Sequence, residues 1–527
     1  MKQNVLKRFL WMLPILALCF SGCKDDETDP GSVPFDPSKP VVVSDFTPKE
    51  GGAYQKLLIY GDNFGTDISQ VHVTIGGKDA VVINVKPTYI YCFVPSGAFS
   101  GEIVVTIGEG ESAVTTTAST AFTYEKKMVV GTLCGFRNNR DDQGWRYGPF
   151  DGPDNVRCCG FNADGRLYFD PLNKDHLYIC YDGHKTIELI DLKERYLSGP
   201  LSLNAGPNDR VRSICFNKAS EYADEAEYMI VAFDYDGRGN TSPNLYIIHR
   251  NEDGTFDDRS DMQLLASYKQ CNGAVVHPIN GELYFNSYEN GQVFRLDLDE
   301  YFKTVQSGGT WNPNVVERPD VFKQLFTIAD PQWEFQIFIH PTGKYAYFGV
   351  INNHYFMRSD YNEETKEFVT PYTVFGGYKE YGYLDDVGTA ARFHEPSQGA
   401  FVYNPEYAGQ EDEYDFYIVD KLNFCVRKVT PDAIVSTYAG RGTSTALADN
   451  NQWGTDDGDL REVARFRDVT GLAYDEETNT FYIHDQVGHT IRTISMEQEE
   501  DTAEEEGGET SGEEEPTETE QVVAVMK

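Results

Sequence analysis

At 527 residues, with 40% hydrophobic residues including 33 Tyr and 32 Phe, the chain is long enough for two to four domains with large cores. Acidic residues outnumber basic ones 84 to 45, a net charge of -39. That balance serves solubility and argues against nucleic acid or an anionic membrane surface as partner, since both are repelled at long range.

The first element is "MKQNVLKRFLWMLPILALCFSGC", with a basic start (Lys2, Lys7, Arg8) and an apolar stretch from Phe9 to Phe20. It is too short to span a bilayer and reads as a secretion signal, residues 1–22. The small residues of "FSGC" before Cys23 resemble a bacterial lipobox, although Phe20 stands where that family more often has an aliphatic residue. The resemblance implies that the Cys23 thiol is diacylated and becomes the new N-terminus, anchored by its acyl chains. Residues 23–39, "CKDDETDPGSVPFDPSK", are acidic and then rich in Pro, Gly and Ser, which predicts a flexible tether. "CKDDE" also resembles the acidic export signal of Gram-negative glycan-foraging bacteria, implying an outer-membrane protein that faces the cell exterior.

Of the ten cysteines, Cys19 and Cys23 belong to the leader and anchor. Most of the other eight sit in apolar strand runs, as small buried hydrophobes do. No C-x-x-C pair or His/Cys ligand spacing points to zinc.

Residues 40–125 show short alternating strands broken by Gly, Pro and Asn-Asp turns, the pattern of a small all-β sandwich. "TPKEGG", "LLIYGDNFG", "VTIGGKDAVV", "VPSG" and "GEIVVTIG" resemble an immunoglobulin-like IPT/TIG domain. Such a domain is usually a spacer or docking module.

From 127 to 496 the pattern becomes a repeat. "GYLDDVGTAARFHEPSQGAFVYNPEYAGQEDEYDFYIVDKLNFCVRKVTPDAIVSTYAG" (382–440) and "GTDDGDLREVARFRDVTGLAYDEETNTFYIHDQVGHTIRTISM" (454–496) share an Asp-rich turn, "ARF", a strand, "FYI", an Asp and an Arg-bearing strand. These resemble NHL repeats. Weaker copies at 166–192, 211–250, 273–298 and 335–359 bring the number to six, about 45 to 65 residues apart. No copy can bury both its faces alone, so the expected fold is all-β: the sandwich followed by a six-bladed NHL-like β-propeller.

The last copy has three strands, while "MVVGTLCG" (128–135) is left without a repeat of its own. We expect it to pair with 489–496, closing the ring with an N-terminal strand and hiding a sheet edge. Residues 497–527 begin with an acidic run that has no aromatic and no basic residue, the composition of a disordered tail.

Function in a propeller concentrates in loops around the channel, on the face carrying the turns between second and third strands and the blade-to-blade connections. Here those loops are rich in Trp, Tyr, Asn, Asp and Arg, which suit carbohydrate: a ring stacks on a sugar's C–H face, and polar groups take its hydroxyls. The stacking candidates are Trp145, Tyr147, Trp333, Tyr381, Tyr383 and Trp453. The polar candidates are Arg146, Asp182, His184, Asp236, Arg238, Asn353 and His354.

No catalytic residue is assigned. His184, His354, His394, His484 and His489 are candidates for acid–base work, but no nucleophile elbow, HExxH or phosphate-cradling loop accompanies them. No metal site or cofactor is assigned either. The turns "DDVG" and "GTDDGD" suit Ca2+, yet such turns are usual in this repeat without metal. The architecture resembles accessory glycan-binding lipoproteins of starch-utilisation-type systems. What this implies is capture of an oligo- or polysaccharide for a TonB-dependent transporter, with the membrane contacted through the lipid anchor only and no nucleic acid bound. A protein–protein scaffold is the alternative, and a polysaccharide lyase or hydrolase the third.

Overall fold

The computed structural model describes residues 33–98, 100–137, 144–183, 185–202, 210–234, 243–257, 259–269, 271–287, 291–328, 335–443 and 452–497. The leader, Cys23, the tether up to residue 32 and the tail after 497 lie outside them. The chain divides into two compact units, one ending at Lys126 and one spanning Lys127–Glu497. No described helix is long and apolar enough to cross a membrane.

The first unit is a sandwich of two four-stranded sheets. One runs Val42–Thr47, Lys56–Asp62, Tyr89–Phe93, Val81–Lys86; the other runs Lys78–Asp79, Val71–Ile75, Ile103–Ile107, Val114–Thr117. Alternation in "IVVTI" turns Ile103, Val105 and Ile107 inward, where they meet Phe46, Leu57, Ile59, Ile90 and Phe122. Within 33–39, expected as the end of the tether, most residues are exposed but two points are tied to the sandwich. Phe35 lies against this core, and Asn63 Nδ2 donates to the carbonyls of Asp36 and Lys39 at 2.9 Å each.

The second unit is a ring of six antiparallel blades. Their innermost strands are Gly165–Phe169, Arg210–Phe216, Ala274–Val276, Phe335–Ile339, Pro396–Tyr403 and Val469–Asp475. Second strands such as "YAYFGV" (Tyr345–Val350) are buried at every position, because each blade is covered by a neighbour on both faces. Closure follows the expected pairing. Met128–Gly135 lies antiparallel to Thr490–Met496, from Met128↔Met496 to Gly135↔Thr490, with a register shift between Thr132 and Cys134. The two ends then meet: Glu497 N donates to Lys127 O at 3.0 Å. The eight cysteines outside the leader and anchor are free, and all but Cys215 are buried.

Among the described residues one α-helix interrupts the all-β pattern. Leu298–Gln306 sits between the third and fourth strands of blade 3, capped by Asp297 and burying Leu298, Tyr301 and Phe302.

The repeat signature of blades 5 and 6 has a structural purpose. Arg427 is fully buried and donates to Asp420 (2.8 Å), Asp385 (2.7 Å) and the carbonyls of Leu384 and Arg392 (2.9 Å each). Its counterpart Arg492, also fully buried, is paired with Asp457 and donates to the carbonyls of Arg465 and Asp456 at 3.0 Å. Each guanidinium thus clamps the preceding blade-to-blade connection onto a third strand, its charge compensated by hydrogen bonds. The Asp-rich turns considered for Ca2+ supply Asp385 and Asp457 to these arginines.

Candidate functional site at the upper mouth of the channel

We call upper the face with the turns between second and third strands and the blade-to-blade connections. Just below it, polar side chains stitch the inner strands together. Gln398 Oε1 accepts from Leu167 N (2.9 Å) and Leu472 N (3.0 Å), while its Nε2 donates to Leu167 O (2.8 Å). Ser397 Oγ donates to Thr470 O at 2.8 Å, and Gln336 Nε2 to Asn272 O at 2.9 Å. These bonds narrow the channel to a waist. Beneath it a cavity of about 510 Å³, walled by Phe169, Phe338, Phe401 and Tyr474 among others, opens downward.

Above the waist lies a bed of paired charges. Lys421, from the second turn of blade 5, is 3.2 Å from Asp164 and 3.8 Å from Glu395. Asp164 also pairs with Arg166, on the first strand of blade 1. Burial opposes ionisation of Asp164, but Arg166 and Lys421 hold its carboxyl well below the usual range. Asp468, before the first strand of blade 6, behaves differently. Burial, only partly offset by Lys421 and reinforced by Asp164, Asp485 and Glu395, pushes it up to about 6. A second cluster joins blades 1 and 2: Arg212 bridges Asp182 (2.8 Å) and Asp234 (3.1 Å), and Arg210 reaches the same two carboxylates at 3.3 and 3.4 Å.

Two exposed rings adjoin the first cluster. Tyr381, 67% exposed, stacks on the His394 ring at 4.8 Å, and the residue after His394 is Glu395. Trp453, half exposed, carries the Arg467 guanidinium 4.5 Å from its ring, and the residue after Arg467 is Asp468. His354 is nearly buried beside Tyr381. Its Nδ1 accepts from Glu395 N at 3.0 Å, and burial with the neighbouring His394 pushes it down to about 4. His484 is fully buried, with Thr470 Oγ1 at 2.6 Å and Phe161 O at 2.9 Å, and burial pushes it down to about 4. Both rings are neutral at pH 7 and serve as hydrogen-bonding groups.

The remaining sequence candidates sit elsewhere. Trp145 is half-buried, edge-on to Tyr181 at 4.7 Å, against Gly160, where a Cβ would collide with the indole. Arg146 donates to the carbonyls of Asp154 and Arg157, fixing its own loop. The Tyr147 hydroxyl donates at 3.3 Å to Glu188, whose carboxyl burial lifts to about 8. Tyr383 meets Thr437 Oγ1 at 2.7 Å, and Asn353 accepts from Lys379 N through its carbonyl at 3.1 Å. His184, Asp236, Arg238 and Trp333 lie outside the described residues. Of thirteen candidates, the structure brings Tyr381, Trp453 and His354 to one charged bed and Asp182 to the other.

Sequence reasoning missed Asp164, Arg166, Arg210, Arg212, Glu395, Lys421 and Asp468. Most share one signal: they flank the start of an inner strand, a position that aligning the repeats reveals. Among the described residues no three His, Cys, Asp or Glu side chains converge to hold a metal ion.

The IPT/TIG domain family matches residues 40–124. Three solved structures resemble the whole described chain. One, from Bacteroides thetaiotaomicron and described as a "putative phosphatase", is 77% identical, with a TM-score of 0.81, covering 89% of this chain and 99% of the other. A second from the same organism, described as an auxiliary nutrient binding protein, is 41% identical with a TM-score of 0.76, covering 88% and 100%. A third, from Bacteroides ovatus and described likewise, is 31% identical with a TM-score of 0.60 over the same shares. No curated protein matches the chain.

Proposed function

The chain belongs to the same family as these three Bacteroides proteins, and from that premise we propose that it is a nutrient-binding protein whose upper mouth captures an oligo- or polysaccharide without cleaving it. Two of the relatives carry nutrient-binding descriptions, which supports the coarser role. The observation that carries the finer one is the pair of exposed rings, Tyr381 and Trp453, beside a bed whose charges already neutralise one another. The rings offer flat apolar faces to pyranose C–H groups, and Glu395, Lys421 and Asp468 offer acceptors and donors to hydroxyls. The "FSGC" and "CKDDE" stretches support anchoring through Cys23 at the outer membrane, facing outward, where the protein would pass its cargo to a TonB-dependent transporter.

Affinity electrophoresis against a panel of neutral polysaccharides tests this. Retardation is expected, and Tyr381→Ala and Trp453→Ala should each weaken it roughly tenfold. Retardation untouched by both substitutions removes the upper mouth from the account.

The relative's phosphatase description keeps a second reading in play, and Asp468 favours it, as a carboxyl titrating near 6 beside Lys421 is poised for proton transfer. Phosphate release from a set of phosphate monoesters, abolished by Asp468→Asn, would establish that reading over capture alone.

A further inference from the structure

The lower face holds a recess. It lies between blades 4 and 5, has a volume of about 600 Å³, and is walled by the first turns of both blades (residues 340–344 and 404–413) and the 430–434 turn of blade 5. Its volume lies in the range of small-ligand sites.

The floor is rigid. His340 stacks on Tyr345 at 4.5 Å, and the two share Asp412, through Nε2 at 3.2 Å and the phenol at 2.8 Å. Burial alone would raise the Asp412 carboxyl, but these two hydrogen bonds hold it below its ordinary value, so it stays ionised and committed to the floor. The Arg358 guanidinium covers the Tyr345 ring at 3.9 Å and donates to Asp360 at 2.8 Å. The Tyr407 ring is fixed by its hydroxyl, which donates to Asp415 at 3.2 Å, and the recess also exposes Ile434 (47%).

The rim differs from the floor. Lys344, Glu411 and Asp432 are exposed and line the same recess, yet among the described residues none of the three side chains makes an ion pair or hydrogen bond. Opposite charges are thus held apart around a concavity with an apolar wall, available to something placed between them.

We propose that this recess is a second binding site, for a neutral oligosaccharide, on the face opposite the upper mouth. A polyhydroxylated chain supplies donors to Glu411 and Asp432, acceptors to Lys344, and a C–H face to Tyr407 and Ile434. A polyanion meets two rim carboxylates and a chain of net charge -39. A polycation meets Lys344 and Arg358. The site rests on its own lining and stands independently of the upper mouth.

Calorimetric titration of the intact chain decides it, with maltohexaose, cellohexaose, mannohexaose and xylohexaose as probes and hexagalacturonate as the anionic comparison. In a Tyr381→Ala/Trp453→Ala background, at least one neutral hexasaccharide should bind at one site. Adding Glu411→Ala/Asp432→Ala should weaken that binding roughly tenfold, with unchanged thermal melting because both residues are exposed. Hexagalacturonate should bind that site at least tenfold more weakly. The proposal is overturned if no neutral probe binds the upper-mouth variant, if the rim substitutions leave its affinity unchanged, or if hexagalacturonate binds as well as the neutral probes. Failure of the upper-mouth reading looks different: there the rim variant alone, with Tyr381 and Trp453 intact, binds no probe.

Discussion

At the upper mouth Lys421 sits 3.2 Å from Asp164, and Asp164 in turn pairs with Arg166; on the lower face Lys344 shares a recess with Glu411 and Asp432 and pairs with neither. The upper charges are largely withdrawn from water, where an uncompensated ion is costly, so each is indispensable to its partner. The lower ones remain hydrated and owe nothing to one another. Substitutions above should therefore disturb stability as well as binding, and substitutions below should disturb binding alone.

A fully buried charge on the upper side gives the sharpest form of this contrast. Arg427→Met leaves the fully buried Asp420 without its countercharge and should cost about 3–5 kcal/mol in urea unfolding of the propeller. A loss under about 1 kcal/mol would show that water reaches the clamp. Next comes Lys421→Met, expected to cost about 2 kcal/mol because Asp164 keeps only Arg166.

The pH dependence probes the same bed. Burial lifts Asp468 from 3.8 to about 6, so the folded chain holds a proton there that the unfolded chain releases. Stability from this group is greatest at low pH and declines as pH rises from about 4 through 6. His484, pushed by burial from 6.5 down to about 4, acts in the opposite sense: its contribution is complete above 6.5 and is lost as pH falls toward 4. The two slopes partly cancel. Asp468→Asn should stabilise by about 1 kcal/mol at pH 7 and steepen the loss of stability between pH 6.5 and 4, read from melting curves across that window. The smallest effect is Lys344→Ala, within about 0.5 kcal/mol of the parent chain. A larger change would mean that the lower rim is not the independent surface described.

Legibility in the sequence followed the same divide between pattern and placement. Strand periodicity and turn chemistry are local, so the six blades and the pairing of 128–135 with the last strand could be read directly. The helix at 298–306 carries a local signal as well, Asp297 and Glu300 as a capping pair and the glycines that follow it, but at nine residues between two strands it is too short to break the strand pattern. The aromatic candidates separated only in three dimensions. Tyr381 and Trp453 are exposed, whereas Trp145 and Tyr383 come from loops of the same composition and spend their rings on packing. The charged bed was invisible for a plainer reason. Asp164, Glu395, Lys421 and Asp468 are hundreds of residues apart at the extremes, and only the curvature of the ring brings them together.

The closing strand has a consequence for how the protein is made. Gly131 and Thr493 face each other across 362 residues of chain, so the first strand of the propeller waits unpaired until nearly the last has been synthesised. Five blades can assemble in order while "MVVGTLCG" remains an open edge, the kind of surface on which a second chain can add. Ring closure is then a long-range, slow step, and the interval before it is when a propeller of this kind is most exposed to swapping strands with its neighbours.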